Sequence, residues 1–346
     1  MKVLLTGSAG FIGGAVGSAL EARGDEVLGV DLLLDQAHHG TAPPEDTHHL
    51  DVRDAGEWVD LLRGVDVVCH QAALVGAGVR VADLPHYAAH NDLGTAALLA
   101  AMHEAGVDRM VLASSMVVYG EGRYSCAEHG THVPPARARE ALDSGRFDNY
   151  CACGRALDWQ LIDEDARLDP RSAYAASKLA QEHYASSWAR QADGAVVALR
   201  YHNVYGPRMP KDTPYSGVAA MFRSSIERGE APRVFEDGAQ VRDFVHVDDV
   251  ARANLAAIDA VVSEPVGGLR SFNVCSGKPI SIRQVAELVA DGTGSDVRPR
   301  VTGEYRAGDV RHVVASPERA RRELGFEAQV LPEQGLPAFA TAPLRG

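Results

Sequence analysis

Residues 1–13 read MKVLLTGSAGFIG, an apolar run followed by a turn with glycines at positions 7, 10 and 13. The run from Lys2 to Thr6 predicts a buried strand, and the apolar spacing after Gly10 predicts a helix that continues to about Arg23. Glycines in such a turn let the backbone approach a pyrophosphate, which the helix N-terminus then binds through its N–H groups and positive dipole end. The stretch therefore predicts a dinucleotide-binding strand, turn and helix.

A carboxylate follows the second predicted strand, which runs from Glu26 to Val30. Asp31 is placed to accept hydrogen bonds from an adenosine ribose and would repel a 2′-phosphate, so the pattern favours NAD over NADP. Three further apolar runs, Val65 to Cys69, Met110 to Ala113 and Ala195 to Arg200, alternate with helical stretches. This alternation predicts the α/β class, with a Rossmann-type doubly wound parallel sheet.

The segment Tyr174-Ala175-Ala176-Ser177-Lys178 places a phenol and an ammonium four positions apart. On a helix the two side chains lie on one face, and a nearby cation favours the phenolate, which makes tyrosine a usable base. A solvated helix face is the alternative for a motif this short. Ser114 and Ser115 end the strand that begins near Met110. Hydroxyls at that position either face a ligand at the carboxyl end of the sheet or form a turn.

The composition limits the partners and the compartment. The 346 residues carry a formal charge of −13 without a concentrated basic surface, which argues against nucleic acid as a partner. No apolar run has the length of a signal-peptide core or a membrane span, so we expect a cytoplasmic protein. Five cysteines in that compartment do not predict a disulfide framework. No cysteine or acid nearby completes a ligand set for four histidines, and we predict a mobile surface loop at His38, His39, His48 and His49.

Motifs along nearly the whole chain share one family pattern. They comprise TGxxGxxG from Thr6, the strand-terminal acid, SSxxxYG from Ser114, YxxxK from Tyr174, RYHNVYGP from Arg200, RDFVHVDDV from Arg242 and GDVR from Gly308. In this order they resemble the extended short-chain dehydrogenase/reductase family, in particular its nucleotide-sugar epimerases and dehydratases. Within that family, ASSMVVYGEGRYSC, NDLGT, TPYSGVAAMF and VFEDGAQVRDF are similar to the dTDP-L-rhamnose 4-epimerases.

The resemblance implies a cofactor, a substrate and the residues that bind them. The implied cofactor is NAD, with contacts from Gly7, Gly10, Phe11, Ile12, Gly13, Asp31, Asp51, Val52, Ala72, Ala73, Asn91, Ser114, Tyr174 and Lys178. The implied substrate is a nucleotide-diphospho-sugar, with contacts from Ser115, Met116, Asn203, Val218, Phe235, Arg242 and Arg311. The two arginines are forked donors suited to diphosphate oxygens, and a surface ion pair is the alternative for each.

Ser115, Tyr174 and Lys178 form the catalytic set that the resemblance implies. Tyr174 removes the C4 hydroxyl proton while hydride passes to NAD, and Ser115 hydrogen-bonds the reacting oxygen. The transient ketone then turns and receives the hydride on its other face. The expected reaction is C4 epimerisation of a nucleotide sugar, with a dTDP-6-deoxyhexose as the expected substrate.

The sequence is also compatible with other functions. A UDP- or GDP-sugar is an alternative substrate, and reduction of a 4-keto sugar is an alternative reaction that consumes NAD(P)H. Relatives that dehydrate place an acid and a base directly after the catalytic hydroxyl, where Met116 and Val117 stand, so dehydration is disfavoured. A 3,5-epimerase would need a cysteine in the stretch after Ser115, and Met116 is not one. A nucleotide-sensing protein on the same fold is the non-enzymatic alternative.

The expected NAD-binding domain covers residues 1–205, and the segment 241–275 returns to it. Residues 206–240 and 276–346 form the expected smaller C-terminal α/β domain, which binds the nucleotide sugar. Relatives form homodimers by packing two helices from each subunit into a four-helix bundle. The corresponding helices here are predicted from Asn91 to Ala105 and from Arg171 to Ala192.

An insertion at residues 121–169 separates the serine strand from the catalytic helix and is longer than in most relatives. It carries Cys126, His129, Cys151 and Cys153, four soft ligands that suit one structural zinc ion. An unstructured or substrate-covering flap with free thiols is one alternative, and a redox pair is another. Its prolines and glycine predict a loop-rich segment in each case.

Overall fold

The computed structural model describes residues 1–38, 43–76, 78, 80–211, 216–263 and 267–345. Within those ranges the strands are β1 (Lys2–Thr6), β2 (Glu26–Asp31), β3 (Thr47–His49), β4 (Val67–His70), β5 (Arg109–Ser115), β6 (Arg123–Cys126), β7 (Gly130–His132), β8 (Asp158–Gln160), β9 (Ala195–Tyr201), β10 (Asn203–Tyr205), β11 (Arg233–Val234), β12 (Val241–His246), β13 (Gly268–Val274), β14 (Pro279–Ser281), β15 (Arg300–Val301) and β16 (His312–Val313).

The helices in the same ranges are α1 (Phe11–Arg23), α2 (Asp35–His38), α3 (Leu84–Tyr87), α4 (Gly94–Ala105), α5 (Arg139–Asp143), α6 (Ala173–Gln191), α7 (Val218–Glu227), α8 (Val247–Ser263), α9 (Ile282–Thr293), α10 (Glu318–Leu324) and α11 (Pro332–Phe339). A π-helical turn at Ala88–Leu93 leads into α4, and 3-10 turns occupy Val52–Leu62, Val81–Asp83 and Met116–Tyr119. None of these described helices combines the length and the apolar character needed to cross a membrane.

Seven strands form one parallel sheet in the order β13-β9-β5-β4-β1-β2-β3. Its central strands are apolar runs buried on both faces, as in β9, where every residue is buried. On one face, Val16 and Leu20 of α1 pack with Ala253 of α8. On the other face, Leu98 of α4 packs with Ala185 of α6. The predicted α/β class and doubly wound parallel sheet are confirmed.

The smaller lobe is built around a second sheet. β12 pairs with β10, β14 and β16, and β11 pairs separately with β15. Helices α7, α9 and α11 pack together over it through Phe222, Val285 and Leu336. Between α8 and β14, β13 adds the edge strand of the main sheet. The predicted division into domains at residues 205, 240 and 275 stays a prediction.

The insertion is more regular than its loop-rich composition predicts. β6 pairs with both β7 and β8 in a three-stranded antiparallel sheet, and α5 follows β7. An unstructured flap is therefore the wrong description of this segment. The pairing joins Arg123 to Gln160, so the sheet rests on contacts between residues far apart in sequence.

The histidine segment also differs from its prediction. His38 ends α2 and is buried, while His48 and His49 lie in β3 and pair with Val30 and Asp31 of the main sheet. The prediction of a mobile surface loop was wrong at these three positions, because short regular elements connect them to the sheet. His39 lies outside the described residues.

Candidate active site

The glycine turn between β1 and α1 packs tightly against the sheet. Gly7 adopts a φ of +69°, and a Cβ there would lie 2.7 Å from the backbone nitrogen of Ala72. A Cβ on Gly13 would lie 2.0 Å from the carbonyl oxygen of Gly7, so only hydrogen fits at that position. Gly10 caps α1 in extended conformation, and the first N–H groups of the helix have no helical acceptors. The turn presents backbone donors and a positive helix end to an anion.

Asp31, at the end of β2, is held in front of this turn by backbone donors. Its Oδ2 accepts a hydrogen bond from the N–H of Ala9 at 3.1 Å, and its Oδ1 accepts one from the N–H of Leu33 at 2.8 Å. Nε2 of His38 lies 3.2 Å from the same Oδ1. The carboxylate of Asp31 is thereby fixed as an acceptor on the wall of a cavity.

This cavity, of about 410 Å³, opens beyond the carboxyl ends of β1, β4 and β5. We call it the dinucleotide cavity, and its lining includes the predicted cofactor contacts Gly7, Gly10, Phe11, Ile12, Gly13, Asp31, Asp51, Val52, Ala72, Ala73, Ser114, Tyr174 and Lys178. The predicted substrate contact Asn203 lines it too. The carboxylate of Asp51 is bound by the guanidinium of Arg53, with Arg53 Nε 2.9 Å from Asp51 Oδ2.

Arg345 completes the dinucleotide cavity from the smaller lobe. Its guanidinium donates a hydrogen bond to the carbonyl oxygen of Ala9 in the glycine turn, at 2.5 Å. Arg345 was not among the residues predicted from the sequence. No local pattern marks it, because the contact joins positions 336 residues apart.

Asn91, the remaining predicted cofactor residue, lies behind the cavity wall. Its Oδ1 accepts from the N–H of Leu74 at 2.7 Å, and its Nδ2 donates to the carbonyl of Leu74 at 3.0 Å and to Oγ of Ser177 at 2.8 Å. It is fully buried in the π-helical turn before α4, a backbone irregularity that is frequent near functional sites. Asn91 fixes the segment after β4 against α6, and any contact with the cofactor itself stays a prediction.

Tyr174 and Lys178 lie one turn apart on α6, and both line the dinucleotide cavity. The ammonium of Lys178 donates to the carbonyl oxygen of Ala113 at 2.9 Å. Ser115 is the last residue of β5, its hydroxyl lowers the pKa of the Tyr174 phenol, and its Oγ accepts from the N–H of Val117 at 3.4 Å. The structure thus brings the three predicted catalytic side chains to the end of one strand.

Desolvation shifts the pKa values of this pair in opposite directions. It raises the pKa of Tyr174 to about 12, against a lowering by the hydrogen bond with Ser115. It lowers the pKa of Lys178 to about 7, against a raising by the carboxylate of Glu182. A further positive charge beside the phenol is therefore needed before Tyr174 can act as a base near neutral pH.

A buried ion pair between Glu182 and Arg200 contacts Ser114 of β5. Oε1 of Glu182 accepts a hydrogen bond from Oγ of Ser114 at 2.5 Å. The guanidinium of Arg200 donates to the two Glu182 carboxylate oxygens at 2.9 and 2.7 Å. Glu182 was not among the predicted residues, although its position four residues after Lys178 places it on the same helix face.

A second cavity, of about 630 Å³, lies on the other side of Tyr174. We call it the outer cavity. Met116, Val117 and Arg242 line it, together with residues 308–310, and Tyr174 lines both cavities. The predicted substrate contacts Met116 and Arg242 therefore line the same cavity as the phenol of Tyr174.

The two predicted diphosphate-binding arginines have different surroundings. Arg242 donates to the carbonyl oxygens of Val310 and Arg311 at 2.6 and 2.8 Å on the wall of the outer cavity. Arg311 is only 1% exposed, and its three guanidinium nitrogens donate to Asp148, Glu236 and Asp237 at 2.7 to 2.8 Å. The assignment of Arg311 to the substrate stays a prediction, and these ion pairs argue against it.

Other predicted residues lie outside the lining of both cavities. Val218 begins α7 and packs against the smaller lobe's core. Phe235 packs beneath two guanidinium groups, with its ring centroid 5.1 Å from Cζ of Arg306 and 5.9 Å from Cζ of Arg233. The suggested zinc ligands Cys126, His129, Cys151 and Cys153 lie together in the insertion.

Most of the chain, over residues 3–141 and 151–275, matches the family described as the NAD dependent epimerase/dehydratase family. The chain belongs to this family. Its glycine turn fits the cofactor of the epimerase/dehydratase family, because side chains are excluded where the dinucleotide backbone must approach. The predicted cofactor and class of enzyme are thereby confirmed, as is the predicted family.

Individual epimerase/dehydratase relatives are similar over nearly their whole length. The dTDP-L-rhamnose 4-epimerase of Burkholderia thailandensis is 34% identical, over 98% of this chain and 94% of its own. The UDP-glucose 4-epimerase of Mycolicibacterium smegmatis is 31% identical, over 97% of this chain and 96% of its own. The solved structure of the Thermus thermophilus UDP-glucose 4-epimerase, a complex with NAD, is 30% identical with a TM-score of 0.75 and covers 98% of both chains.

Proposed function

We propose that the protein interconverts the C4 epimers of a dTDP-6-deoxyhexose, with dTDP-L-rhamnose as one of the pair, through a transient 4-keto sugar. The position of Tyr174 carries this proposal, because its side chain lines both cavities. The dinucleotide cavity suits NAD, and the outer cavity, with Arg242 on its wall, suits the nucleotide sugar. A phenol between them is placed to exchange a proton with a sugar hydroxyl beside the nicotinamide.

The side chains around the phenol have different roles in the proposed reaction. When bound, NAD supplies the hydride acceptor, the returning hydride and a positive ring charge. Tyr174 takes the proton of the C4 hydroxyl and later returns it, while Ser115 holds the reacting oxygen through its hydroxyl. Lys178 lies one helical turn away, and when it is protonated its ammonium adds a second positive charge that favours the phenolate. The complete cycle consumes no reductant.

Rival reactions of the same family need groups that this site does not offer at the expected position. Dehydration requires an acid and a base beside C5 and C6, and apolar Met116 and Val117 follow Ser115. Met116 also stands where 3,5-epimerisation would need a cysteine. Net reduction of a 4-keto sugar stays the second candidate. It uses the same catalytic side chains and differs in consuming NAD(P)H with every turnover.

Two observations favour the dTDP-sugar over a UDP-sugar. The dTDP-L-rhamnose 4-epimerase relative is 34% identical, against 31% for the UDP-glucose 4-epimerase relative. The segments at 113–126 and 234–244, which carry the sequence similarity to that group, border the reacting centre and the smaller lobe. Only a few contacts distinguish sugars that differ in one hydroxyl, or bases that differ in one substituent. The substrate must therefore be tested directly.

We also propose that two copies associate through the outer faces of α4 and α6. The exposed small side chains Ala100 of α4 and Ala176 of α6 lie on these helices together with exposed Tyr184, and Leu93 is exposed in the π-helical turn that leads into α4. Small side chains let helices approach closely, which suits a four-helix bundle between two subunits. The proposal continues the expectation drawn from the family resemblance.

The decisive assay incubates the purified protein with dTDP-L-rhamnose and catalytic NAD⁺, and follows the sugar protons by NMR. We expect a second dTDP-6-deoxyhexose that differs at C4 and reaches a fixed ratio with rhamnose, without accumulation of NADH. Stoichiometric appearance of NADH or a keto sugar would favour the reductase candidate. Turnover of UDP-glucose in place of dTDP-L-rhamnose would keep the epimerase and overturn the substrate.

Tyr174→Phe tests the proposed base. Removing the hydroxyl while keeping the ring should lower kcat by roughly 10³-fold, because no other group then exchanges the C4 proton. NAD should stay bound at the wild-type ratio, measured by its release on denaturation. A variant that keeps full activity would exclude Tyr174 as the base.

A further inference from the structure

Three thiols and an imidazole meet in the insertion, away from both cavities. Cys126 ends β6, His129 lies in the turn before β7, and Cys151 and Cys153 lie in the turn that precedes β8. The Sγ atoms of Cys126 and Cys153 are 3.7 Å apart. Nδ1 of His129 lies 3.8 Å from Sγ of Cys126 and 3.3 Å from Sγ of Cys151. All four possible ligand atoms lie within 4.8 Å of one another.

These separations match the edges of a tetrahedron around a zinc ion. Ligand bonds near 2.3 Å to sulfur and near 2.0 Å to nitrogen imply about 3.8 Å between two sulfurs and about 3.5 Å between sulfur and nitrogen. A disulfide would instead require two sulfurs at about 2.05 Å. The 3.7 Å between Cys126 and Cys153 therefore fits two ligands of one metal and does not fit a covalent pair.

We propose that Cys126, His129, Cys151 and Cys153 bind one structural zinc ion through three sulfurs and Nδ1 of the imidazole. The set fills all four tetrahedral positions, which is typical of structural rather than catalytic zinc. Nε2 of His132 lies 3.6 Å from Sγ of Cys151, where its N–H can hydrogen-bond a ligand sulfur without being a ligand. The site lies apart from the proposed epimerase chemistry and does not depend on it.

The insertion needs such a centre because its apolar core is small. The cluster of buried side chains inside it consists of Tyr124, Cys126, Cys151 and Leu157, and two of these four are proposed ligands. A three-stranded sheet with so little apolar burial gains most of its stability from a metal that crosslinks its turns.

The zinc-bound insertion also supports the wall of the outer cavity. The phenol oxygen of Tyr124 accepts a hydrogen bond from the N–H of His312 at 2.9 Å. The guanidinium of Arg137 donates to the carbonyl of Asp309 at 2.7 Å and pairs with Glu236 at 2.8 Å. Because Asp309 lines the outer cavity, loss of the metal should alter sugar binding more than NAD binding.

The direct test measures metals in untagged protein from zinc-supplemented cells by inductively coupled plasma mass spectrometry. We expect about one zinc per chain for the wild type. Cys126→Ser and Cys151→Ser should lower the zinc content about tenfold or more. Cys275→Ser is the matched control, because Cys275 is buried outside the cluster and should leave the zinc content unchanged.

A second measurement keeps the proposal testable if a variant fails to fold. Cobalt(II) replaces zinc in the wild-type chain, and a tetrahedral site with thiolate ligands then gives intense visible and near-ultraviolet bands. The milder variant Cys153→Ser, at an exposed position, should weaken those bands while NAD still binds. With a chelator, KM for the sugar should rise about tenfold while NAD content stays constant.

Three results would overturn the proposal. Zinc-free wild-type protein that gives no thiolate bands with cobalt would exclude the site. A disulfide between Cys126 and Cys153 in the intact mass of non-reduced protein would replace it with a redox pair. Equal loss of zinc from Cys275→Ser would show that the metal binds elsewhere. None of these outcomes depends on which sugar is the substrate.

Discussion

Glu182 connects the serine strand to a fully enclosed arginine. It accepts a hydrogen bond from Ser114 and two from Arg200, and the side chains of the ion pair are each 4% exposed. Glu182→Gln leaves the guanidinium buried without its counter-charge, so we expect the free energy of unfolding to fall by about 3 kcal/mol or more. Urea unfolding monitored by circular dichroism measures this change.

The control for Glu182 is an ion pair of the same type at the surface. Glu287 pairs with Arg283 at 2.8 Å, but both side chains are about half exposed. Glu287→Gln should change the free energy of unfolding by less than about 0.5 kcal/mol. Equal small losses in both variants would show that the burial of Arg200 does not depend on the charge of Glu182.

His202 is a buried imidazole whose two ring nitrogens have no hydrogen-bond partner among the described residues. Burial lowers its pKa from 6.5 to about 3, and the nearby charge of Arg242 contributes to the lowering. Between these values the unfolded chain binds the proton and the folded chain does not, so acid destabilises the fold through His202. The loss begins as the pH falls below about 6.5 and is complete near pH 3.

His202→Leu should remove this dependence. Measured by urea unfolding from pH 7 to pH 4, the stability of the variant relative to wild type should rise by up to about 1.4 kcal/mol per pH unit below 6. A constant difference across the range would mean that His202 is protonated, or paired, in the folded protein.

At the residue scale, prediction from sequence was most direct where a motif is local. Tyr174 and Lys178 share one helix, as their spacing predicted, and Ser115 ends the strand beside it, as the family resemblance implied, while their catalytic roles stay predictions. Glu182 and Arg345 were missed because their partners, Arg200 and Ala9, come from other elements of the fold. Side-chain contacts of this kind are set by the tertiary arrangement and leave no periodic signal.

The turn into α1 offers a matched pair of neighbouring glycines. A Cβ on Gly13 would meet the carbonyl oxygen of Gly7 at 2.0 Å, whereas a Cβ on Gly14 would lie 3.7 Å from the carbonyl oxygen of Ser8. Gly13→Ala should therefore open the turn, weaken NAD binding by at least about tenfold and destabilise the protein. Gly14→Ala should bind NAD normally and gain about 0.5 to 1 kcal/mol of helix stability.

Calorimetric titration with NAD and thermal unfolding distinguish the two variants. If both bind NAD equally well, close packing of the glycine turn is not what admits the dinucleotide. If both lose binding equally, the effect belongs to the helix as a whole rather than to the turn.

Elements with strong local patterns were predicted well. The bounds of β1 and α1 were predicted from their apolar spacing. The proline-containing tail includes α11, which Pro332 opens at a position where a helix needs no N–H donor. The insertion sheet was missed because its strands pair across long stretches with weak alternation.

At the scale of the whole molecule, the outer faces of α4 and α6 predict a dimer. We expect light scattering after size exclusion to give twice the chain mass for the wild type. Leu93→Asp, which places a charge at an exposed leucine beside this face, should shift the protein to monomers. Val301→Asp is the control, because Val301 is similarly exposed but lies in β15 of the smaller lobe.

A monomeric wild type would contradict the proposed interface directly. Dissociation by both variants would indicate association through several apolar surfaces rather than through the two helices. Cross-linking between cysteines introduced at Tyr184 would then show whether two copies of α6 meet at all.

The contact between Arg345 and the carbonyl of Ala9 links the smaller lobe to the glycine turn at the dinucleotide cavity. We expect a dinucleotide bound in this cavity to leave after that guanidinium has moved away from the glycine turn. We therefore expect slow NAD release, with the cofactor retained across many catalytic cycles and carried through purification. We expect a substitution of Arg345 to shorten the residence time of NAD more than it changes the equilibrium affinity.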